Sequence, residues 1–259
     1  MKINTAAALA ALGIVVVLSG CAASETPTQK TPDAVAETPA AEDPSDEPTW
    51  AAPAICQDID LTPDVIVPGS VLGGCVAEAL PSFVTGKEFV ETSMQSGEVV
   101  FRYRGTELDM QGGFDGDAGT TQFTMLDGTM WMDSGSGWVK GDVNSDDQEA
   151  QMIGATAEIF RTYADPVHYA DLISAGAEWR VGAAESVTLG NGENIEAYPI
   201  AVTAPFTWND IPVTASLAWF AEGWVPVGVR GTVEMFGMTE TTTQTWYELG
   251  EPVEIVPVE

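Results

Sequence analysis

The sequence predicts an α+β domain: one large curved antiparallel sheet with helices covering its concave face. Two stretches of period-two alternation, roughly residues 99–138 and 179–249, carry the strands, and a stretch of helical periodicity between them carries the helices. The order of strands, two helices, then strands, with no repeat of fixed period, favours a single sheet backed by helices. About 200 residues follow position 55, enough for one domain with a sizeable core.

Ahead of that domain come two segments of different composition. Lys2 precedes an apolar run from Ala6 to Val17, and Leu18-Ser19-Gly20-Cys21 then ends it abruptly. Residues 1–20 read as a signal peptide. The run is about a dozen residues, short of the roughly 20 that a membrane-spanning helix needs, which disfavours a permanent transmembrane anchor. Leu18 to Cys21 match the bacterial lipobox, in which the Cys thiol receives a diacylglycerol and becomes the new N-terminus. Acyl chains on Cys21, each buried methylene contributing about 0.8 kcal/mol, would hold the protein on the extracytoplasmic face of the cell membrane. Residues 21–54 are rich in Pro, Ala, Thr, Ser and acids, with no large aromatic before Trp50, and are expected to be a disordered tether. As a coil, Ala22 to Ala54 would span roughly 30 Å, and in extended form about 100 Å.

The rest, residues 55–259, is the expected folded domain. With Cys21 lipidated, Cys56 and Cys75 are the remaining thiols, and two thiols outside the cytoplasm usually pair. The bridge would enclose 18 residues, and a loop near that length corresponds to about 3 kcal/mol in the chain-entropy model. Free or metal-binding cysteines are the alternative, but no CxxC is present and the sole His is distant in sequence. Ser70 is the expected cap of a helix from Val71 to Leu80, whose apolar face comprises Val71, Leu72, Cys75, Val76, Ala79 and Leu80. The disulfide would tie this helix to a strand-like Ile55 to Ile59.

The first strands follow. Val99, Phe101 and Tyr103 share one face while Arg102 and Arg104 take the other. The same alternation recurs in Leu108, Met110 and Phe114, in Thr121, Phe123 and Met125, and in Met130 and Met132. Asp115-Gly116, Asp127-Gly128 and Gly135-Ser136-Gly137 supply turns, and the meander ends near Trp138. Asp146 and Asp147 then offer a cap and first-turn acids for a helix bearing Met152, Ile153, Ala155, Thr156, Ile159, Phe160 and Tyr163 at helical spacing. Asp165-Pro166 starts a second helix, with Val167, Tyr169, Ala170, Leu172 and Ile173 apolar, and Gly176 stops it. Strands resume at about Trp179–Val187, Ile195–Thr203, Val213–Phe220, Val225–Met235 and Thr241–Leu249, with reversals at Asn191-Gly192 and Glu222-Gly223.

Charge excludes some partners. The chain carries 39 acidic against 9 basic residues, a net charge of −30. After the tether only Lys87, Arg102, Arg104, Lys140, Arg161, Arg180 and Arg230 are basic. Such a surface is repelled by phosphate backbones and anionic headgroups, so nucleic acid is not an expected partner and the lipid on Cys21 must do the anchoring. The chain is expected to be a monomer without a cofactor.

Signs of catalysis are scarce. His168 is the one imidazole and has no Gly-x-Ser-x-Gly elbow or reactive Cys to serve. Asp142-Val143-Asn144-Ser145-Asp146 is similar to the start of a calcium loop, but position six is Asp147 rather than Gly and position twelve is Ile153 rather than Glu. It reads as a loop and helix cap. No enzyme is expected, and no metal.

Residues from about Ser96 to Pro257 resemble the mycobacterial LppX/LprG-type lipoproteins, distant structural relatives of the LolA-like lipoprotein carriers. Leu126-Asp127-Gly128-Thr129-Met130-Trp131 with Gly137-Trp138-Val139-Lys140 is similar to that family's strand, turn, strand and tryptophan. Asp165-Pro166 leads into a Leu-containing helix, and Leu217-Ala218-Trp219-Phe220 with Val225-Pro226-Val227 resembles its late hairpin. Tyr247-Glu248-Leu249-Gly250-Glu251-Pro252-Val253-Glu254-Ile255 looks like its closing segment. The Cys56 and Cys75 segment, the tether and the acidity lie outside the pattern. The resemblance implies a half-open antiparallel barrel with helices over an apolar cavity, and a protein that binds or carries lipids and glycolipids in the actinobacterial cell envelope.

The candidate cavity residues are Phe101, Tyr103, Leu108, Met110, Phe123, Met125, Met130, Met132, Leu172, Ile173, Val213, Leu217 and Trp219. Flexible thioethers, including Met235, suit a pocket for variable acyl chains, although the same residues would serve equally as a filled core. Two functions are therefore in play. One is a lipid or glycolipid carrier; the other is a non-catalytic surface module with a filled interior, binding a protein or wall component through exposed aromatics such as Trp208, Trp224 or Trp246.

Overall fold

A computed structural model describes residues 50–105, 107–117, 119–164, 166–235 and 238–258, leaving out the side chains of residues 159, 161–164, 166–169 and 235. The signal segment, Cys21 and the tether through residue 49 lie outside the described residues.

In chain order the elements are helix α1 (Ala54–Gln57), strand β1 (Ile66–Pro68), helix α2 (Gly69–Ser82), and strands β2 (Thr85–Glu91), β3 (Gln95–Arg104), β4 (Glu107–Gly116), β5 (Gly119–Leu126), β6 (Thr129–Asp133) and β7 (Val139–Lys140). Helices α3 (Gln148–Ala164) and α4 (Pro166–Ala175) follow. Strands β8 (Glu178–Val181), β9 (Glu185–Thr188), β10 (Asn194–Val202), β11 (Phe206–Trp208), β12 (Ile211–Phe220), β13 (Pro226–Met235) and β14 (Met238–Tyr247) complete the described chain.

The strands make one large antiparallel sheet in the order β1-β8-β10-β12-β13-β14-β2-β3-β4-β5-β6-β7, with β9 and β11 paired to β10 and β12 off this path. The join between the two meanders is β14 with β2, where Trp246 faces Glu88 and Gln244 faces Val90. The sheet is not closed into a barrel, since β1 and β7 stand at opposite ends. Both ends are blunt: β1 has three residues including Pro68, and β7 has two. Short edges of this kind offer little to a pairing strand.

Alternation divides the sheet into two faces, and residues on one of them pack with the helices. Trp179, Val181, Ile200, Ala218 and Phe220 pack with Leu72, Cys75, Val76 and Ala79 of α2 and Ile173 of α4. On the other half of that inner face, Val99, Phe101, Tyr103, Met110, Phe114, Phe123, Met125 and Met130 pack with Ile153 and Ala157 of α3. The outer face has its own cluster, in which Trp219, Val227 and Tyr247 are covered by Val187 and Leu189.

Helices α2 and α4 approach through glycine. A Cβ on Gly69 would sit 1.9 Å from the Gly176 carbonyl oxygen, and one on Gly73 2.5 Å from that of Ala170. The end of α4 is held by Trp179, whose buried indole Nε1 donates to the carbonyls of Ile173 at 3.0 Å and Gly176 at 2.9 Å. Those carbonyls are the orphan acceptors of a helix C-terminus. At the start of α3, Asp147 accepts from the Ala150 N–H at 2.9 Å, the expected cap.

The structure corrects several local readings. Ile55 to Ile59 is not strand-like: α1 occupies Ala54–Gln57, and Cys56 bonds Cys75 helix to helix across a Cα–Cα distance of 4.7 Å. Ser70 is not a cap, because α2 begins at Gly69 behind Pro68, whose missing N–H and fixed φ suit a helix entrance. The stretch Trp179–Val187 breaks into β8 and β9 opposite Pro199, which has no N–H to give the ladder. Strand β2 and the β11–β12 hairpin are additions to the expected elements.

Candidate ligand cavity

Seen from the sequence upward, the inner face under α4 is built from short and bulged pieces. Pro166 opens α4, and Leu172 and Ile173 turn towards the sheet. Asn209 (φ 49°) and Asp210 (φ 66°) make the tight turn that brings Trp208 of β11 back over Ile211 and Val213 of β12. Asn and Asp tolerate this left-handed conformation at small cost, as a two-residue hairpin turn requires. A register shift between Val213 and Ala215 bends β12 away from regular pairing with β13.

Between these pieces lies a cavity of about 60 Å³. Leu172 and Ile173 form its helix side, Trp179, Trp208, Ile211 and Val213 one wall, and Ala218, Val229 and Val233 its apolar floor. Ser216, Thr242 and Gln244 add polar groups along β12 and β14, and Leu217, Arg230 and Gly231 complete the lining. The volume is small beside the roughly 300–1,000 Å³ of ordinary ligand pockets. It has room for about two waters' share of liquid volume. An acyl chain would have to displace α4 to enter.

Four of the thirteen candidate residues, Leu172, Ile173, Val213 and Leu217, line this cavity. Leu217 also packs partly with the outer-face cluster. Phe101, Tyr103, Leu108, Met110, Phe123, Met125, Met130 and Met132 are brought together instead as a packed layer with α3, away from that lining. Trp219 needs a correction: strand alternation puts it on the outer face, where its Nε1 donates to Glu185 at 2.7 Å and Arg230 sits 5.1 Å over its ring. The suggested exposed aromatic patch is also corrected, since Trp208, Trp224 and Trp246 are all buried. Trp138, exposed beside β7, is the tryptophan that meets solvent most among the described residues. The side chains of His168 and Met235 are outside the described residues, as is Cys21. In the acidic loop, Asp142 accepts from the Asn144 N–H and Ser145 from the Asp147 N–H, so these oxygens shape the turn into α3.

Two buried carboxyls went unnoticed as candidates. Asp109, on the outer face of β4, is held by Arg102 and Arg104 at 2.8 and 2.7 Å. Burial pushes its pKa up, but the two guanidiniums and the Asp127 N–H outweigh that and keep it below the usual value. Glu88, on the inner face of β2 between Val99 and Trp246, is 8% exposed and has no such partner among the described residues. Burial alone raises it to about 7. The outer-face Tyr247 hydroxyl, buried and donating to Glu98, is raised as well.

No protein-family model and no curated protein matches this sequence.

Proposed function

We propose that the protein is a non-catalytic lipoprotein, held on the extracytoplasmic face of the membrane by acyl groups on Cys21, whose domain binds the acyl part of a lipid or glycolipid under α4. The likeness to LppX/LprG-type lipoproteins supports this reading, with helices over the concave side of a half-open barrel. The observation that carries it is the apolar cavity between α4 and strands β11 to β14. Such cavities between a helix and a sheet are where apolar ligands enter, each buried methylene contributing about 0.8 kcal/mol. Helix α4 is a short roof, ten residues long, whose backbone lies close against α2 at Gly73. Its displacement is the opening motion that the reading requires.

The packed layer under α3 favours a second reading, a surface module with a filled interior. Native mass spectrometry separates the two. The full chain carrying Cys21→Ser, so that it brings no acyl group of its own, is offered monomyristoylglycerol. One bound lipid, lost in a folded Val213→Phe variant, is the expected result. Absence of any adduct would turn the assignment to the surface module.

A further inference from the structure

Glu88 is the anomaly of the inner face. Trp246 and Val99 face it directly across the neighbouring strands, and both belong to the apolar cluster under α3. Burying a carboxyl in such a place is costly unless something bonds it. No hydrogen bond or ion pair reaches it from any described residue. At the same time, no fully enclosed side-chain oxygen or nitrogen among the described residues lacks a partner. The unpartnered Glu88 oxygens must therefore touch open space, small as it is.

Glu88 is not itself part of the cavity lining, but its strand neighbours reach it. Gln244, part of the cavity lining, pairs with Val90 and stands two residues from Trp246 on β14. Glu88 is consequently its diagonal neighbour, roughly 7–8 Å away in an antiparallel pair. Thr242, Gln244 and Glu88 form a polar line across β14 and β2 on the inner face, and its first two members line the cavity together with Ser216.

We propose that the Glu88 carboxyl is the polar anchor of the bound amphiphile, accepting a hydrogen bond from a hydroxyl at the end of its acyl chain. This rests on the lipid-binding reading above and narrows the ligand class to neutral, hydroxyl-bearing lipids. A hydroxyl both donates and accepts, so it satisfies either protonation state of the carboxyl. An anionic headgroup would be repelled by an ionised Glu88. The described basic side chains on the sheet, Lys87, Arg102, Arg104, Lys140, Arg180 and Arg230, alternate onto the outer face by their pairing register, and of these only Arg230 contributes to the cavity lining. A cationic headgroup would lose its hydration on entering an apolar site, a larger penalty than a hydroxyl incurs.

The test uses the full chain with Cys21→Ser and two probes of equal acyl length, monomyristoylglycerol and methyl myristate, which lacks the hydroxyls. The wild-type domain should prefer the glyceride by about tenfold, the usual size of a hydrogen bond to a charged group. Glu88→Leu should abolish that preference while leaving methyl myristate affinity within about twofold, and Glu88→Gln should keep part of it. Equal binding of both probes by wild type, or a preference that survives Glu88→Leu, overturns the anchor and leaves the lipid reading intact. Binding of neither probe overturns both.

Discussion

Under α3, strands β3 to β6 turn Phe101, Met110, Phe123, Met125 and Met130 into a layer in which none is more than 7% exposed; under α4, strands β12 to β14 meet the helix across a cavity of about 60 Å³. Both regions belong to one sheet and use the same alternation. What differs is the regularity of the strands. The register from β3 to β6 runs without a shift, so its side chains stack in rows against α3. Strand β12 carries two shifts against β13, beneath the short helix α4. A bulged strand beneath a short helix leaves room where a regular one does not.

The largest test of that contrast is truncation on each side. Met125→Ala removes a fully buried side chain from the packed layer and should cost about 3–4 kcal/mol in urea denaturation. Leu172→Ala, on a half-buried cavity wall, should cost only about 1–2 kcal/mol, because the lost contacts are fewer. Equal costs would mean that the two regions are packed alike.

The two buried carboxyls extend the comparison to charge. Glu88 has its pKa raised from 4.5 to about 7 by burial. The folded state then holds its proton longer than the unfolded chain, so wild-type stability falls as pH rises from about 4.5 to 7. Glu88→Gln removes that ionisation, and the variant should gain up to about 3 kcal/mol over wild type at pH 8 and almost nothing at pH 4. Asp109 has the opposite sign. Its stabilisation is present above the usual 3.8 and is lost as pH falls through its lowered folded value. Asp109→Asn should cost about 1–2 kcal/mol at pH 7, a modest amount because Arg102 and Arg104 are themselves more than a third exposed. The deficit should close at low pH. Parallel pH profiles for the two variants would contradict the assigned environments.

Where the sequence was legible, one local rule sufficed. Asp127 and Gly128, at φ 49° and 71°, make the turn that an Asp-Gly pair announces, and Met125, Leu126, Thr129 and Met130 pair around it. Strand β2 escaped notice because its inward positions are Gly86, Glu88 and Val90, while Phe89 packs on the outer side, so no apolar alternation marks it. The residue that hides the strand is the one proposed here as the anchor. The β11–β12 hairpin was missed for want of a glycine, its turn being Asn209-Asp210. The cavity was partly legible: Leu172, Ile173 and Val213 follow from helical spacing and strand alternation, whereas Trp208 enters through the β11–β12 hairpin.

The smallest effect is also the sharpest, because one substitution should change sign between the regions. Val213→Ile adds a single methylene at a position that is 3% exposed and lines the cavity. With open volume beside it the added group buries apolar surface without displacing a neighbour, a gain of up to about 0.8 kcal/mol. Val99→Ile adds the same methylene at a position that is 1% exposed, where Gly112 stands directly opposite and a Cβ on that glycine would already lie 3.0 Å from a Val99 methyl. There the group has nowhere to go, and overpacking should cost about 1–3 kcal/mol. Thermal melts of the two variants read the difference directly. If the cavity is the ligand's foothold, Val213→Ile should also weaken binding of monomyristoylglycerol while raising stability, a pairing that general damage to the fold would not produce. Destabilisation by both substitutions would show that the space under α4 is as tightly packed as the layer under α3.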